Sequence, residues 1–118
     1  MGSEMCIRDR LIFVGKRLGY KRFEQDEINY KLVTNALKHG SVVRLKGGDS
    51  FIFGRGAEEM EYVESFGIPT TVIPGISSVT SAGSSIGLPL TKRNVSQSFW
   101  VITATTQYHL LSCLLYTS

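Results

Sequence analysis

A short glycine-rich segment is the part of this sequence whose residue types and spacing could do chemistry. Gly47, Gly48 and Asp49 directly follow residues 41–46 (SVVRLK), a run with β-branched residues that predicts a strand. In open α/β sheets, ligands bind at the carboxyl ends of strands, where loops leave the sheet. Two residues without side chains let a ligand approach the backbone amides, and the carboxylate that follows can accept hydrogen bonds from an amine or a hydroxyl. Taken alone, the triplet favours an ordinary turn over a ligand site, because Gly and Asp are common turn residues.

The better-known patterns of phosphate binding, metal binding and nucleophilic catalysis do not occur in this sequence. There is no G-x-x-x-x-G-K-[ST], and no G-x-G-x-x-G follows a strand. His39 and His109 are isolated and no ligand spacing recurs, so we predict neither a metal site nor a Ser–His arrangement. The net charge of +3 is too small to indicate a nucleic-acid partner. No apolar run approaches the roughly 20 residues of a membrane span, so we expect no membrane association.

Strand-like and helix-like segments alternate along the chain, and this pattern predicts the fold class. The apolar residues 11–14 predict a strand, and acidic residues at 24–27 followed by an apolar helical stripe predict a helix that ends at Gly40. Further segments continue the alternation: a strand at 41–46, a helix at 57–66, a strand at 70–73, a helix at 76–86 and a strand at 98–103. This predicts an α/β fold in which helices cover a parallel sheet. With 118 residues the chain is too short for a complete two-domain enzyme, since each domain usually needs roughly 100 residues.

The helix predicted at 57–66 carries most of the acidic residues of this part of the chain. Met60 and Val63 are spaced to face the core, and Gly67 ends the helix. The glutamates are expected to be largely solvated: Glu58, Glu59, Glu61 and Glu64.

The two ends of the chain differ in character from its middle. Residues 1–10 (MGSEMCIRDR) show no hydrophobic periodicity and no helix cap. Residues 110–118 (LLSCLLYTS) contain an apolar run without a residue pattern that marks where an element ends. Both resemble translated sequencing adapters, and we expect them to be artefacts outside the native protein. The alternative is that residues 110–115 form a real apolar strand or the start of a helix. Cys6 and Cys113 lie in these ends, so the cysteines say nothing about the redox compartment.

Four motifs in the middle of the chain resemble those of the tetrapyrrole methylase family, in the family's order. They are VGKR at 14–17, VVRLKGGDSFIFGRGAEE at 42–59, VIPGISS at 72–78 and GLPLTKR at 87–93. Members of this family have two α/β domains that hold S-adenosylmethionine in the cleft between them. The resemblance implies that residues 11–97 are the later part of the first domain and that residues 98–109 begin the second. It also implies a cytoplasmic enzyme, homodimeric as the whole protein, that C-methylates uroporphyrinogen III to precorrin-2 in sirohaem and cobalamin biosynthesis.

The resemblance also implies roles for individual residues. The matching positions are Lys16 as proton donor, Gly47, Gly48 and Asp49 as contacts of the methyl donor, Ile52 as its apolar neighbour, and Ser77 and Ser78 as the pair lining its other side. Each has an ordinary alternative, since Lys16 fits a solvated cation and Ser77 fits a helix cap. The basic residues that could bind the carboxylates of the tetrapyrrole are Lys16, Arg17, Lys21, Arg22, Arg55, Lys92 and Arg93.

This sequence departs from the family at several positions. Ser50 stands where the family usually has proline, which loosens the loop, and Lys92 stands where histidine is usual. The aspartate that the family uses as proton acceptor and the donor-covering second domain have no counterpart in this chain. Two other functions therefore stay open: a methylase of another substrate, such as a later corrin intermediate, a protein or ribosomal RNA, and a non-catalytic module that binds a tetrapyrrole or a nucleotide.

Overall fold

The computed structural model describes residues 4–7, 10–15 and 24–103, and the chain divides into two compact units, Met1–Ile76 and Ser77–Ser118. The secondary-structure elements are β1 (Glu4–Ile7), β2 (Arg10–Phe13), α1 (Gln25–His39), β3 (Val43–Leu45), α2 (Gly56–Glu64) and α3 (Ser78–Ser85). All of them except α3 belong to the first unit, in which a sheet and two helices confirm the predicted α/β class. None of the helices in the described ranges is long and apolar enough to cross a membrane.

The sheet of the first unit has three strands in the order β2-β1-β3, and both pairings are antiparallel. Met5 of β1 lies opposite Ile12 on one side and Arg44 on the other. Since β2 and β3 are both antiparallel to β1, they run in the same direction as each other, and α1 connects them as a crossover helix.

The predicted parallel hydrogen bonding is therefore wrong for these three strands. The physical reason is that β1 occupies the position between β2 and β3. Only two residues separate β1 from β2 in the sequence, a connection short enough for an antiparallel pair but far too short for a parallel one. β1 lies within residues 1–10, the segment that the sequence analysis expects to be an artefact, and it nevertheless forms the central strand of this sheet.

Two predicted strands do not form in the described part of the chain. Residues 70–73 and residues 98–103 adopt neither strand nor helix. Their β-branched and aromatic residues favour extended structure, but a strand also needs a neighbour that takes up its backbone hydrogen bonds. Ile73 is 84% exposed, so its apolar side chain is not part of the core that the described residues form. The helices come close to prediction, since α2 and α3 differ from the predicted bounds by a few residues at their ends.

The core of the first unit is formed by apolar side chains from the sheet and both helices. The buried members are Met5, Val14, Ile28, Leu32, Val33 and Val63. Three of them come from α1 with the spacing of one helix face, and Val63 brings α2 against that face. The loop between β3 and α2 is consequently held at both ends by packed elements.

Local signals explain where α1 begins and ends. The backbone amide of Glu24 donates a hydrogen bond of 3.0 Å to Oε2 of Glu27, which satisfies a backbone donor at the start of the helix. Gly40 follows the last helical residue with a φ of +83°, and its amide donates to the carbonyl of Ala36 at 2.8 Å. A residue with a Cβ would be strained there, so the glycine stops the helix as predicted.

We predict that Leu32→Ala lowers the free energy of unfolding by about 2–5 kcal/mol, because the buried side chain leaves a cavity in the core. Leu37→Ala is the matched control on the same helix, since Leu37 is 68% exposed and its truncation should change stability by less than about 0.5 kcal/mol. Urea denaturation of the two variants measures both values. Equal losses in the two variants would contradict the assignment of the buried face.

Candidate functional site

The glycine-rich loop between β3 and α2, residues 47–56, folds back on itself through its own backbone. The amide of Ile52 donates to the carbonyl of Asp49 at 3.2 Å, and the amide of Gly56 donates to the carbonyl of Ser50 at 2.9 Å. Gly48 has a φ of +68°, in the left-handed region that glycine adopts without strain. Gly47 and Gly48 are both exposed. At Gly47 and Gly48 the loop therefore exposes backbone that no side chain of these residues covers, as the sequence predicted.

Asp49 ties this loop to a segment 26 residues further along the chain. Its Oδ1 accepts a hydrogen bond from the amide of Phe51 at 2.8 Å, and its Oδ2 accepts one from the amide of Gly75 at 3.0 Å. A Cβ on Gly75 would collide with the carbonyl oxygen of Gly48, so the close approach of the two segments requires glycine at position 75. The amide of Gly75, and after it that of Phe51, lowers the pKa of Asp49 because both hydrogen bonds stabilise the ionised carboxylate.

These contacts give Asp49 a structural function that the sequence did not reveal. Its two carboxylate oxygens have about four lone-pair sites, and backbone amides take two of them. A hydrogen bond from a ligand is compatible with the remaining sites. The predicted donor contact of Asp49 therefore stays a prediction, alongside its function in organising the loop.

The apolar residues of the loop point outward rather than into the core. Ile52 is 40% exposed, and Phe51 and Phe53 are more exposed than that. Phe53 and Arg55 have positive φ values of 51° and 58°, which mark the tight path of the chain before α2. Ile52 is thus accessible from solvent, and its contact with a methyl donor stays a prediction.

The predicted serine pair lies in the second unit, at the beginning of α3. Ser77 is buried and is the residue that caps this helix, since its Oγ accepts a hydrogen bond from the amide of Val79 at 3.2 Å. Ser78 is the first helical residue and is exposed. The capping alternative for Ser77 is confirmed, and contact of the pair with a methyl donor stays a prediction.

The structure thus brings together Gly47, Gly48, Asp49 and Ile52 in one loop of the first unit. Lys16, the predicted proton donor, lies outside the described residues, and so do Arg17, Lys21 and Arg22. Of the other basic candidates, Arg55 is exposed and its guanidinium makes an ion pair of 2.9 Å with Glu58, which raises the pKa of Arg55. Lys92 and Arg93 are exposed in the second unit.

The expectation that Glu59 is solvated is wrong, because this carboxylate is buried beside the glycine-rich loop. Glu59 is 5% exposed, and its Oε1 lies 3.1 Å from Nζ of Lys46 and 3.2 Å from a guanidinium nitrogen of Arg44. Gln25 of α1 donates to the same oxygen at 3.2 Å. A signal was present in the sequence, since Arg44 and Lys46 are two residues apart in the strand predicted at 41–46 and would share a face of it. Two cations on a face that a helix covers require a buried carboxylate partner.

An open groove occurs within the second unit, with a volume of about 620 Å³. Its lining comes from α3 and from the segment that follows it: Thr80, Ser84, Gly87, Leu88, Pro89, Leu90, Thr91 and Phe99. The GLPLT part of the fourth motif thus forms one wall of a groove in its own unit.

We predict that Asp49 titrates below its ordinary value of 3.8 in the folded chain. Because the pKa is lowered on folding, the contribution of Asp49 to stability is fully present above pH 3.8 and is lost as the pH falls through the lower, folded-state pKa. Carbon NMR of the carboxyl group measures the folded midpoint, and the same chain in urea is the control. A folded midpoint at or above that of the unfolded chain would exclude the two amide contacts.

The sequence profile of the Tetrapyrrole (Corrin/Porphyrin) Methylases matches residues 7–112 of this chain. Siroheme synthase of Enterobacter sp. (strain 638) is 50% identical over 92 residues, which are 78% of this chain and 20% of that protein. Siroheme synthase 2 of Pectobacterium atrosepticum is 51% identical over the same length and coverage. The chain therefore spans about a fifth of the length of these curated relatives.

Solved structures agree with the sequence comparison. Uroporphyrin-III C-methyl transferase from Thermus thermophilus, complexed with S-adenyl homocysteine, is 42% identical and superposes with a TM-score of 0.57 over 67% of this chain and 34% of that one. The native form of that enzyme gives a TM-score of 0.60 at 40% identity, over 74% of this chain and 35% of that one. Since the profile match covers nearly the whole chain and includes the glycine-rich loop, the chain belongs to the tetrapyrrole methylase family.

Proposed function

We propose that this chain is part of an S-adenosylmethionine-dependent methyltransferase that C-methylates uroporphyrinogen III to precorrin-2. The observation that carries the proposal is the glycine-rich loop at 47–56, whose backbone is exposed at Gly47 and Gly48 and is braced by Asp49. The similarity to siroheme synthases and to a uroporphyrin-III C-methyl transferase crystallised with S-adenyl homocysteine supports this choice of donor and substrate.

The residues of the loop fit a methyl donor of this kind. Gly47 and Gly48 leave room for close approach to the backbone, and Ile52 offers an exposed apolar side chain in the same loop. We assign Gly47, Gly48, Asp49 and Ile52 to the binding of the donor, and the contact of Ser77 and Ser78 with the donor stays a prediction from the family resemblance. When bound, S-adenosylmethionine supplies a sulfonium methyl group that an electron-rich pyrrole carbon can attack.

The chemistry assigned to the residues of this chain is binding and orientation. An in-line displacement at a methyl group needs correct positioning and exclusion of water more than a strong protein nucleophile. We assign a proton-donor role to Lys16, and we assign carboxylate binding to the exposed cations Arg55, Lys92 and Arg93. A cytoplasmic location and a homodimeric whole protein stay predictions that accompany this proposal.

A chimaera tests the proposed function. The 92-residue segment of Escherichia coli siroheme synthase that is 51% identical to this chain is replaced by the matching residues of this chain. We expect the chimaera to form precorrin-2 from uroporphyrinogen III and to bind S-adenosylhomocysteine in calorimetry. The 118-residue chain alone should show no turnover, because small-molecule sites usually bury about 70–90% of the ligand and this chain spans only 20% of its relatives.

The outcomes of this experiment separate the three functions. Binding of S-adenosylhomocysteine without methylation of any tetrapyrrole would favour the non-catalytic module. Turnover of a later corrin intermediate alone would favour another methylase of the family.

In the same chimaera, Asp49→Ala is expected to weaken the binding of S-adenosylhomocysteine by at least tenfold, about 1.4 kcal/mol. The reason is that this change removes the carboxylate that braces the loop and also a candidate contact of the donor. Asp26→Ala is the control, because Asp26 is exposed on α1. Unchanged affinity in Asp49→Ala would remove Asp49 from the donor site.

Lys16→Met in the chimaera is expected to lower kcat by roughly tenfold or more, while the dissociation constant of S-adenosylhomocysteine changes less than about twofold, since loss of a general acid affects turnover rather than donor binding. Lys38→Met, at the exposed end of α1, is the matched control. Equal losses of turnover and donor affinity in Lys16→Met would contradict a proton-transfer role.

A further inference from the structure

A single carboxylate oxygen joins three parts of the first unit next to the candidate donor loop. Oε1 of Glu59, on α2, lies 3.1 Å from Nζ of Lys46, 3.2 Å from a guanidinium nitrogen of Arg44 and 3.2 Å from Nε2 of Gln25. The side chain of Glu59 is 6% exposed, and those of Arg44 and Lys46 are 14% and 15% exposed. We name these four residues, Gln25, Arg44, Lys46 and Glu59, the Glu59 cluster.

Lys46 connects the Glu59 cluster to the glycine-rich loop in two ways. It is the residue that immediately precedes Gly47, so its backbone position determines where the loop begins. Its Nζ also donates a hydrogen bond to the carbonyl of Gly54, near the end of the loop. One side chain, oriented by Glu59, therefore holds the last part of the loop against the residue that starts it.

The composition of the Glu59 cluster suits a positioning role better than a purely stabilising one. Two cations share one carboxylate, and the three charged groups are largely removed from water. The desolvation of a buried ion pair offsets much of its attraction, so apolar side chains of similar size would stabilise such a site at least as well. What apolar side chains could not do is hold the carbonyl of Gly54, because that oxygen requires a donor.

We propose that Glu59 is a positioning residue that shapes the loop at 47–56 for the methyl donor, acting through Lys46. The carboxylate draws Nζ of Lys46 into the space between α2 and the loop, and Nζ in turn holds Gly54. The part of this inference that concerns the donor rests on the proposed function; the part that concerns the shape of the loop does not.

Amide hydrogen exchange of the 118-residue chain tests the shape of the loop. The probes are the amides of Ile52 and Gly56, which donate hydrogen bonds within the loop, and the references are the amides of Leu32 and Val33 in α1. In Glu59→Gln and in Lys46→Met we expect the two loop amides to exchange about tenfold faster, with the reference amides changed by less than about twofold. Glu61→Gln is the matched control, because Glu61 lies on the same helix and is exposed.

The double variant Glu59→Gln, Lys46→Met tests whether Glu59 acts through Lys46. If it does, the loop amides exchange within about twofold of their rates in Lys46→Met alone, because effects within one connected group are not additive. If the exchange rates in the double variant instead rise by the product of the two single-variant increases, the proposal that Glu59 acts through Lys46 is wrong. If Glu59→Gln unfolds the chain, the exchange rates of the loop amides in Lys46→Met alone test the positioning role, since Lys46→Met leaves the contact between Arg44 and Glu59 in place. Loop and α1 amides that accelerate equally in Lys46→Met would show a general loss of stability and overturn the positioning role.

Calorimetry with S-adenosylhomocysteine on the chimaera separates this inference from the proposed function. We expect Lys46→Met to raise the dissociation constant by about tenfold and Glu61→Gln to leave it unchanged. A chimaera without further substitutions that does not bind S-adenosylhomocysteine would refute the proposed function. The hydrogen-exchange rates would still test whether Glu59 and Lys46 shape the loop. A chimaera that binds, with loop exchange and affinity unaltered in both cluster variants, would refute the inference alone.

Discussion

The first unit depends on a buried carboxylate that accepts from three donors at once. Glu59 of α2 contacts Gln25 of α1, Arg44 of β3 and Lys46, the residue that follows β3. A charge that is 5% exposed is tolerated only where partners replace the water it has lost, so the positions of these four residues are mutually determined. The apolar core already packs α1 against α2. The carboxylate of Glu59 adds a requirement that apolar packing does not make, because it determines which residues of β3 face the helices.

A second carboxylate works in the opposite environment, at the surface. Asp49 accepts hydrogen bonds from the amides of Phe51 and Gly75 and thereby connects two loops rather than two packed elements. Lys46, which is paired with Glu59, donates to the carbonyl of Gly54 near the end of the glycine-rich loop, and Asp49 makes its contacts near the beginning of the loop. A backbone surface without side chains has no packing of its own, so its shape must come from contacts of this kind. The braced loop suits a ligand site because little of its order remains to be imposed on binding.

Membership of the tetrapyrrole methylase family and the local structure support each other. The loop that the sequence analysis selected lies within the segment that matches the family profile and connects a strand to a helix, as in α/β ligand sites. The helix-capping contact of Ser77 shows that this residue has a local structural function, whether or not it also contacts a donor as predicted.

Local patterns in the sequence were sufficient for the parts of the structure that depend on neighbours along the chain. The acidic start of α1, its apolar stripe and the glycine at its end lie within one helix length, and the helix has nearly the predicted bounds. The glycine-rich loop was identified in the same way, because a strand pattern and the Gly-Gly-Asp triplet are adjacent. Only the tertiary structure decided the order of the sheet, since a strand pattern does not specify its partner, and β1 lies between β2 and β3. The tertiary structure also decided that residues 70–73 form no strand, that Glu59 is buried and that Asp49 accepts a hydrogen bond from Gly75. Each of these three features depends on residues that are distant in the sequence, and only the packing of the folded chain brings such residues together.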